Sequence, residues 1–174
     1  MKKEFVIVPL VVVFFLVTGF LSGMFGLLDP GNIDVRDAGW ARDASGVIVG
    51  AESFVLSGSR ECWLFVHGYG SSPAEFSRVA PEVYERLNAT ISVPLLSGHG
   101  LWPSELEKTG WNDWRSDVVK VYESLASNCG SVSAVGSSLS APLLVNVSQE
   151  LKFKSLVLLA PYVTSKKPFD QEAL

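Results

Sequence analysis

The stretch AVGSSLSAP, residues 134–142, sets a serine between an apolar run and a helix-like segment. A serine hydroxyl is a weak nucleophile. It attacks a carbonyl only with a base to take its proton and N–H donors to hold the oxyanion that forms. A tight strand-to-helix turn serves the second need, since it exposes the serine and turns the next amide toward the substrate. Small residues two before and two after the serine keep such a turn free of clashes. Here Gly136 stands at −2, but Ser140 stands at +2, where glycine is the usual occupant. Ser138 is therefore a candidate nucleophile on a turn that the small Ser140 still allows, at some added strain. The competing reading is an ordinary N-cap serine.

Only two histidines occur, His67 and His99, and both precede Ser138. In LFVHGYG, residues 64–70, a second apolar run ends in His67-Gly68. A glycine there lets the chain turn so that the Tyr69 N–H can face the serine. Together, the Tyr69 and Leu139 N–H groups would form a two-donor oxyanion hole. Downstream of Ser138 there is no histidine, and the only acids are Glu150, Asp170 and Glu172. Nothing in the chain looks able to activate the serine.

The elements that must position these residues read as alternating strands and helices. Short strands are expected at 47–49 and 53–56, and a buried strand at 62–66. A helix entered through Pro73 should run to about Asn88, since proline suits a first turn. A strand at 91–95 leads to the loop SGHGLWPSELEKTG, and a helix opens near Trp111 with Asn112 as candidate N-cap. Its apolar residues Val118, Val121, Tyr122 and Leu125 keep helical spacing. A strand at 131–135, the serine turn, a helix over 139–151 and a strand at 155–161 complete the series. The later strands are continuous apolar runs, the pattern of a parallel sheet covered on both faces. Such sheets carry their functional groups at the carboxyl ends of the strands. HGYGSS, SGHG, GSSLS and APYV all fall at that edge.

Residues 5–28 hold no charge and follow Lys2 and Lys3. A helix of that length reaches roughly 36 Å, enough to cross a bilayer with tilt. The run is longer than a signal-peptide core and lacks an A-x-A-like site. Residues 1–28 are expected to be an uncleaved signal anchor with the rest of the chain outside the cytoplasm; the alternative is a cleaved signal peptide and a secreted domain. Residues 29–46 read as a linker and 47–174 as the folded domain. The whole chain has 14 basic and 18 acidic residues, net −4; without Lys2, Lys3 and Glu4 the balance is 12 against 17, or −5. That is no footprint for nucleic acid. No spacing suits zinc, and neither a metal nor a cofactor is expected.

Over roughly residues 47–163 the chain resembles the α/β-hydrolase fold, closest to its carboxylesterase and monoacylglycerol-lipase-like branch. The residues that carry the resemblance are LFVHGYGSS, PLLSGHG, TGWNDWRSDV, VGSSLSAP and LVLLAP, in family order. The resemblance implies Ser138 as nucleophile and Tyr69 and Leu139 as oxyanion donors. It implies structural support from His67, Gly68, His99 and Gly136. It also makes the strands bearing Cys62 and Cys129 neighbours, so that in an oxidising compartment a disulfide is a candidate; two buried free thiols are the alternative. In the family the acid and the catalytic histidine follow the nucleophile. Their absence implies an incomplete α/β-hydrolase fold covering about the N-terminal half of a family domain, with a missing C-terminal half or a partner chain. Two functions stand. One is a membrane-anchored serine hydrolase acting on small-molecule or lipid esters. The other is a non-catalytic tethered module that binds a partner or an apolar ligand.

Overall fold

The computed structural model describes residues 39–162. The apolar run at 5–28, residues 29–38 of the linker, and Asp170 and Glu172 lie outside the described residues. Among those described, no helix is long and apolar enough to cross a membrane.

Among the described residues five strands form one sheet: β1 (Phe54–Leu56), β2 (Ser59–Val66), β3 (Ala89–Val93), β4 (Ser131–Ser137) and β5 (Leu156–Leu159). Their order across the sheet is β1-β3-β2-β4-β5. Only β1 runs antiparallel, pairing Phe54 with Val93 and Leu56 with Ile91. The rest are parallel, with Val66 opposite Gly136 and Ser137 opposite Leu159. The helices are α1 (Val79–Leu87), α2 (Pro103–Leu106), α3 (Trp111–Ala126) and α4 (Ser140–Val147), preceded by a 3-10 turn at Pro73–Phe76.

Period-two alternation along β2 divides the core. Cys62, Leu64 and Val66 face one side with Val132 and Ala134, where Trp114 and Val118 of α3 and Leu143, Leu144 and Val147 of α4 cover them. Phe65 faces the other side with Ile91, Val93 and Val135, under Phe76 and Ala80. A parallel sheet needs both faces covered, and β2, β3 and β4 are. β5 is not. Val157, Leu158 and Leu159 stay 40%, 39% and 43% exposed on the outermost strand.

Several expected boundaries move. The helix foreseen from Pro73 to Asn88 is two pieces, broken at Ser77 and Arg78, because Phe76 turns into the core and packs edge-on to Phe65 at 5.2 Å. The strand foreseen at 47–49 reduces to a single bridge between Arg42 and Ile48. Part of the linker is thus built into the fold: Arg42 donates to the Gly46 carbonyl and stacks 3.9 Å over the Trp102 ring. The N-cap of α3 is Gly110 rather than Asn112; the Asp113 carboxylate accepts the Gly110 N–H at 2.9 Å. Cys62 and Cys129 form a disulfide with their Cα atoms 5.9 Å apart, at the amino-terminal edge of β2 and β4.

Candidate active site

β4 delivers Ser138 and α4 carries the chain away. Between them Ser138 takes φ 52°, a left-handed conformation that costs a residue with a Cβ about 1–2 kcal/mol. Three backbone bonds hold it there. Its N–H donates to Leu159 at 2.9 Å, and its carbonyl accepts the N–H groups of Ala141 at 3.2 Å and Tyr162 at 3.1 Å. The side chain is left exposed at the carboxyl end of the sheet. Gly136 is required by close packing: a Cβ there would lie 2.7 Å from Leu144 Cδ1 and 2.8 Å from the Ser140 carbonyl oxygen.

Ser140 does not strain the turn; it braces it. Its hydroxyl donates to the Val66 carbonyl at 2.6 Å and accepts the Ser137 N–H at 2.7 Å. The group is 1% exposed, so both bonds are made out of water. A residue that looked like a compromise in size therefore supplies the link between β2 and the serine turn.

The loop after β2 closes on the same point. A Cβ at Gly68 would lie 3.3 Å from Ser138 Cβ, so only a bare backbone approaches this closely. His67 fixes that backbone. Its Nε2 accepts the Leu96 N–H at 3.1 Å, which leaves its proton on Nδ1, 2.9 Å from the Gly68 carbonyl. Carbonyl and N–H of one trans peptide point in opposite directions. The bond from His67 to the Gly68 oxygen therefore aims the Tyr69 N–H away from the imidazole. Among the described residues neither the Tyr69 nor the Leu139 N–H has a hydrogen-bond acceptor.

His99 is 2% exposed, with Nδ1 3.1 Å from the Ser97 carbonyl and its ring against those of His67, Tyr69 and Trp114. Burial pushes the His67 pKa down to about 4, and burial lowers that of His99 too, so both rings are neutral near pH 7. Neither ring is hydrogen-bonded to Ser138. Glu150, the one downstream acid among the described residues, pairs with Arg115 at the surface and is remote in role from the turn. Trp114 is buried, with its indole N–H on the Ser97 carbonyl, while Trp102 keeps 37% exposure.

One group at this edge gave no sequence signal. Glu75, on the 3-10 turn, accepts the Gly68 N–H on Oε2 at 3.0 Å. Burial works to raise its pKa, but the Ser137 and Ser71 hydroxyls and the Gly68 N–H outweigh it and hold the carboxyl below its ordinary value.

Comparison with known proteins agrees with this architecture. Residues 63–173 match the model of the alpha/beta hydrolase family. The chain is 29% identical over 103 residues to a thermostable monoacylglycerol lipase of Bacillus sp. (strain H-257), covering 59% of this chain and 41% of that protein. It is 30% identical over 111 residues to a carboxylesterase of Bacillus subtilis (strain 168), covering 63% and 45%. Among solved structures, one reported for the metagenome-derived lipolytic enzymes LipS and LipT superposes with a TM-score of 0.64 at 27% identity, over 74% of this chain and 55% of the other. The chain thus spans less than half the length of the curated relatives it matches. The family match takes in well over half of the chain, from within β2 onward and without β1, and on it this chain belongs to the alpha/beta hydrolase family.

Proposed function

We propose that this chain is the nucleophile-bearing part of a membrane-anchored serine hydrolase of carboxylesterase or lipase type. Ser138 attacks the carbonyl of a small-molecule or lipid ester. The tetrahedral oxyanion is held by the Tyr69 and Leu139 N–H groups, and His67, Gly68, His99 and Gly136 keep that geometry. The acid and the base come from sequence outside these 174 residues, which would also cover β5. The observation that carries the reading is the left-handed Ser138 at the tip of the β4–α4 turn, with the Gly68 backbone pressed against it. The lipase and esterase names of the relatives support the substrate class. The disulfide supports an oxidising compartment, in keeping with a signal anchor at residues 1–28.

The test is covalent labelling of the full chain with a fluorophosphonate at alkaline pH, where hydroxide takes the place of the base, located by mass spectrometry. Adduct on Ser138, absent from Ser138→Ala, is the expected result; adduct elsewhere or none sinks the reading. Carbonate extraction tests the anchor, and release of full-length chain into the supernatant would overturn it.

A second reading, a non-catalytic tethered module, draws on a specific observation. Both imidazoles are engaged with backbone groups and neither bonds to Ser138. Without a base, the oxyanion hole and binding alone leave about 10³–10⁴-fold rate enhancement over water. Near-background hydrolysis of short p-nitrophenyl esters is therefore expected of these 174 residues.

A further inference from the structure

We propose that Glu75 is a positioning residue that sets the aim of the Tyr69 N–H by holding the peptide before it. Gly68 lies between two peptide units, and each is fixed from a different side. The carbonyl of the second is held by His67 Nδ1–H at 2.9 Å. The N–H of the first is held by Glu75 Oε2 at 3.0 Å. A glycine has two free dihedrals and a wide choice of values, so one anchor leaves it able to swing. Two anchors remove that freedom and leave the Tyr69 N–H a single direction.

The carboxylate is itself placed by packing. Pro73 and Phe76 are the buried residues of the 3-10 turn, and Phe76 is 3% exposed against Phe65. Glu75 lies between them; the residue is exposed, but its Oε2 turns back to the Gly68 N–H. Glu75 thus ties the 3-10 turn to the loop after β2, and the Gly68 backbone it holds lies against the serine turn.

The catalytic consequence rests on the hydrolase reading above, but the geometric claim does not. The first readout therefore needs no chemistry. Residual dipolar couplings of the Gly68 and Tyr69 N–H groups are measured on the full chain as wild type, Glu75→Gln and Glu75→Ala. In the wild type both couplings should fit one rigid orientation relative to the sheet. In Glu75→Ala they should be scaled toward zero. Glu75→Gln, which keeps an acceptor oxygen, should restore most of the value. The second readout is the rate of Ser138 labelling by the fluorophosphonate at alkaline pH, where hydroxide stands in for the absent base. Here Ser138 Oγ forms the P–O bond, fluoride leaves and the hydroxyl proton goes to solvent. Glu75→Ala should slow labelling about tenfold or more, less than the loss of a whole oxyanion donor, with partial rescue by Glu75→Gln. Unchanged couplings in Glu75→Ala overturn the proposal whatever the labelling shows. Changed couplings with an unlabelled wild type would instead uphold it and sink the hydrolase reading.

Discussion

The Ser140 hydroxyl spans from α4 to the last residue of β2, meeting the Val66 carbonyl at 2.6 Å while it takes the Ser137 N–H at 2.7 Å. Removing it leaves a buried acceptor and a buried donor without partners, each worth about 1–3 kcal/mol. Ser140→Ala should therefore destabilise the fold by about 2 kcal/mol or more in urea unfolding. Ser140→Gly, the residue expected in such turns, should do no better. A change below about 0.5 kcal/mol in both would mean that water replaces the hydroxyl.

Ser138 stores backbone strain for the sake of its position. Ser138→Gly should raise stability by about 1 kcal/mol, because glycine takes this φ without a Cβ clash. The same substitution should abolish phosphonate labelling. Loss of stability in Ser138→Gly would show that the turn is not strained.

Stability should fall with acid between pH 6.5 and 4. His67 has a folded pKa of about 4 against 6.5 unfolded, so in that window the unfolded chain binds the extra proton. The contribution is intact above 6.5, shrinks as pH drops and is fully lost below about 4. It amounts to about 3 kcal/mol at most. His99, lowered in the same direction by burial, adds to the slope. Urea midpoints across pH 4–7.5 measure it, and a flat profile would contradict the buried neutral tautomers.

Reduction of the Cys62–Cys129 bond, which spans 67 residues of sequence, should cost about 4 kcal/mol by loop entropy. Thiol alkylation of unreduced protein should find no reactive cysteine. Two alkylated thiols under non-reducing conditions would remove the bond from consideration.

β5 should make the isolated chain self-associate. An apolar edge strand without charges is a template for pairing. Leu158→Lys and Leu159→Lys together should lower the apparent mass in light scattering to that of a monomer. An unchanged mass would place the contact elsewhere.

Much of the sheet was legible because β2, β3 and β4 are continuous apolar runs ended by polar turns, and a parallel sheet demands such runs. That Ser138, His67 and Gly68 sit at strand ends was legible for a related reason: each closes an apolar run in a short polar, glycine-bearing stretch. The break at Ser77 and Arg78 was not, since it depends on Phe76 finding Phe65, a contact no local pattern encodes. The bracing by Ser140 was not legible either, since residue size foretells a fit and not the bonds to Val66 and Ser137. Glu75 was passed over because an acid on a polar turn looks the same whether it meets solvent or a backbone N–H 3.0 Å away.

The two edges of the sheet are unequal. β1 is three residues long and antiparallel, whereas β5 is parallel to its neighbour and, beyond Leu156, exposed. In the language of assembly, each molecule has a valence of one. Two copies can meet β5 to β5 about a twofold axis, and the pair then ends in two short, poor templates. For the described residues on their own, growth should stop at that step, so the exposed strand should favour capped pairs over fibres.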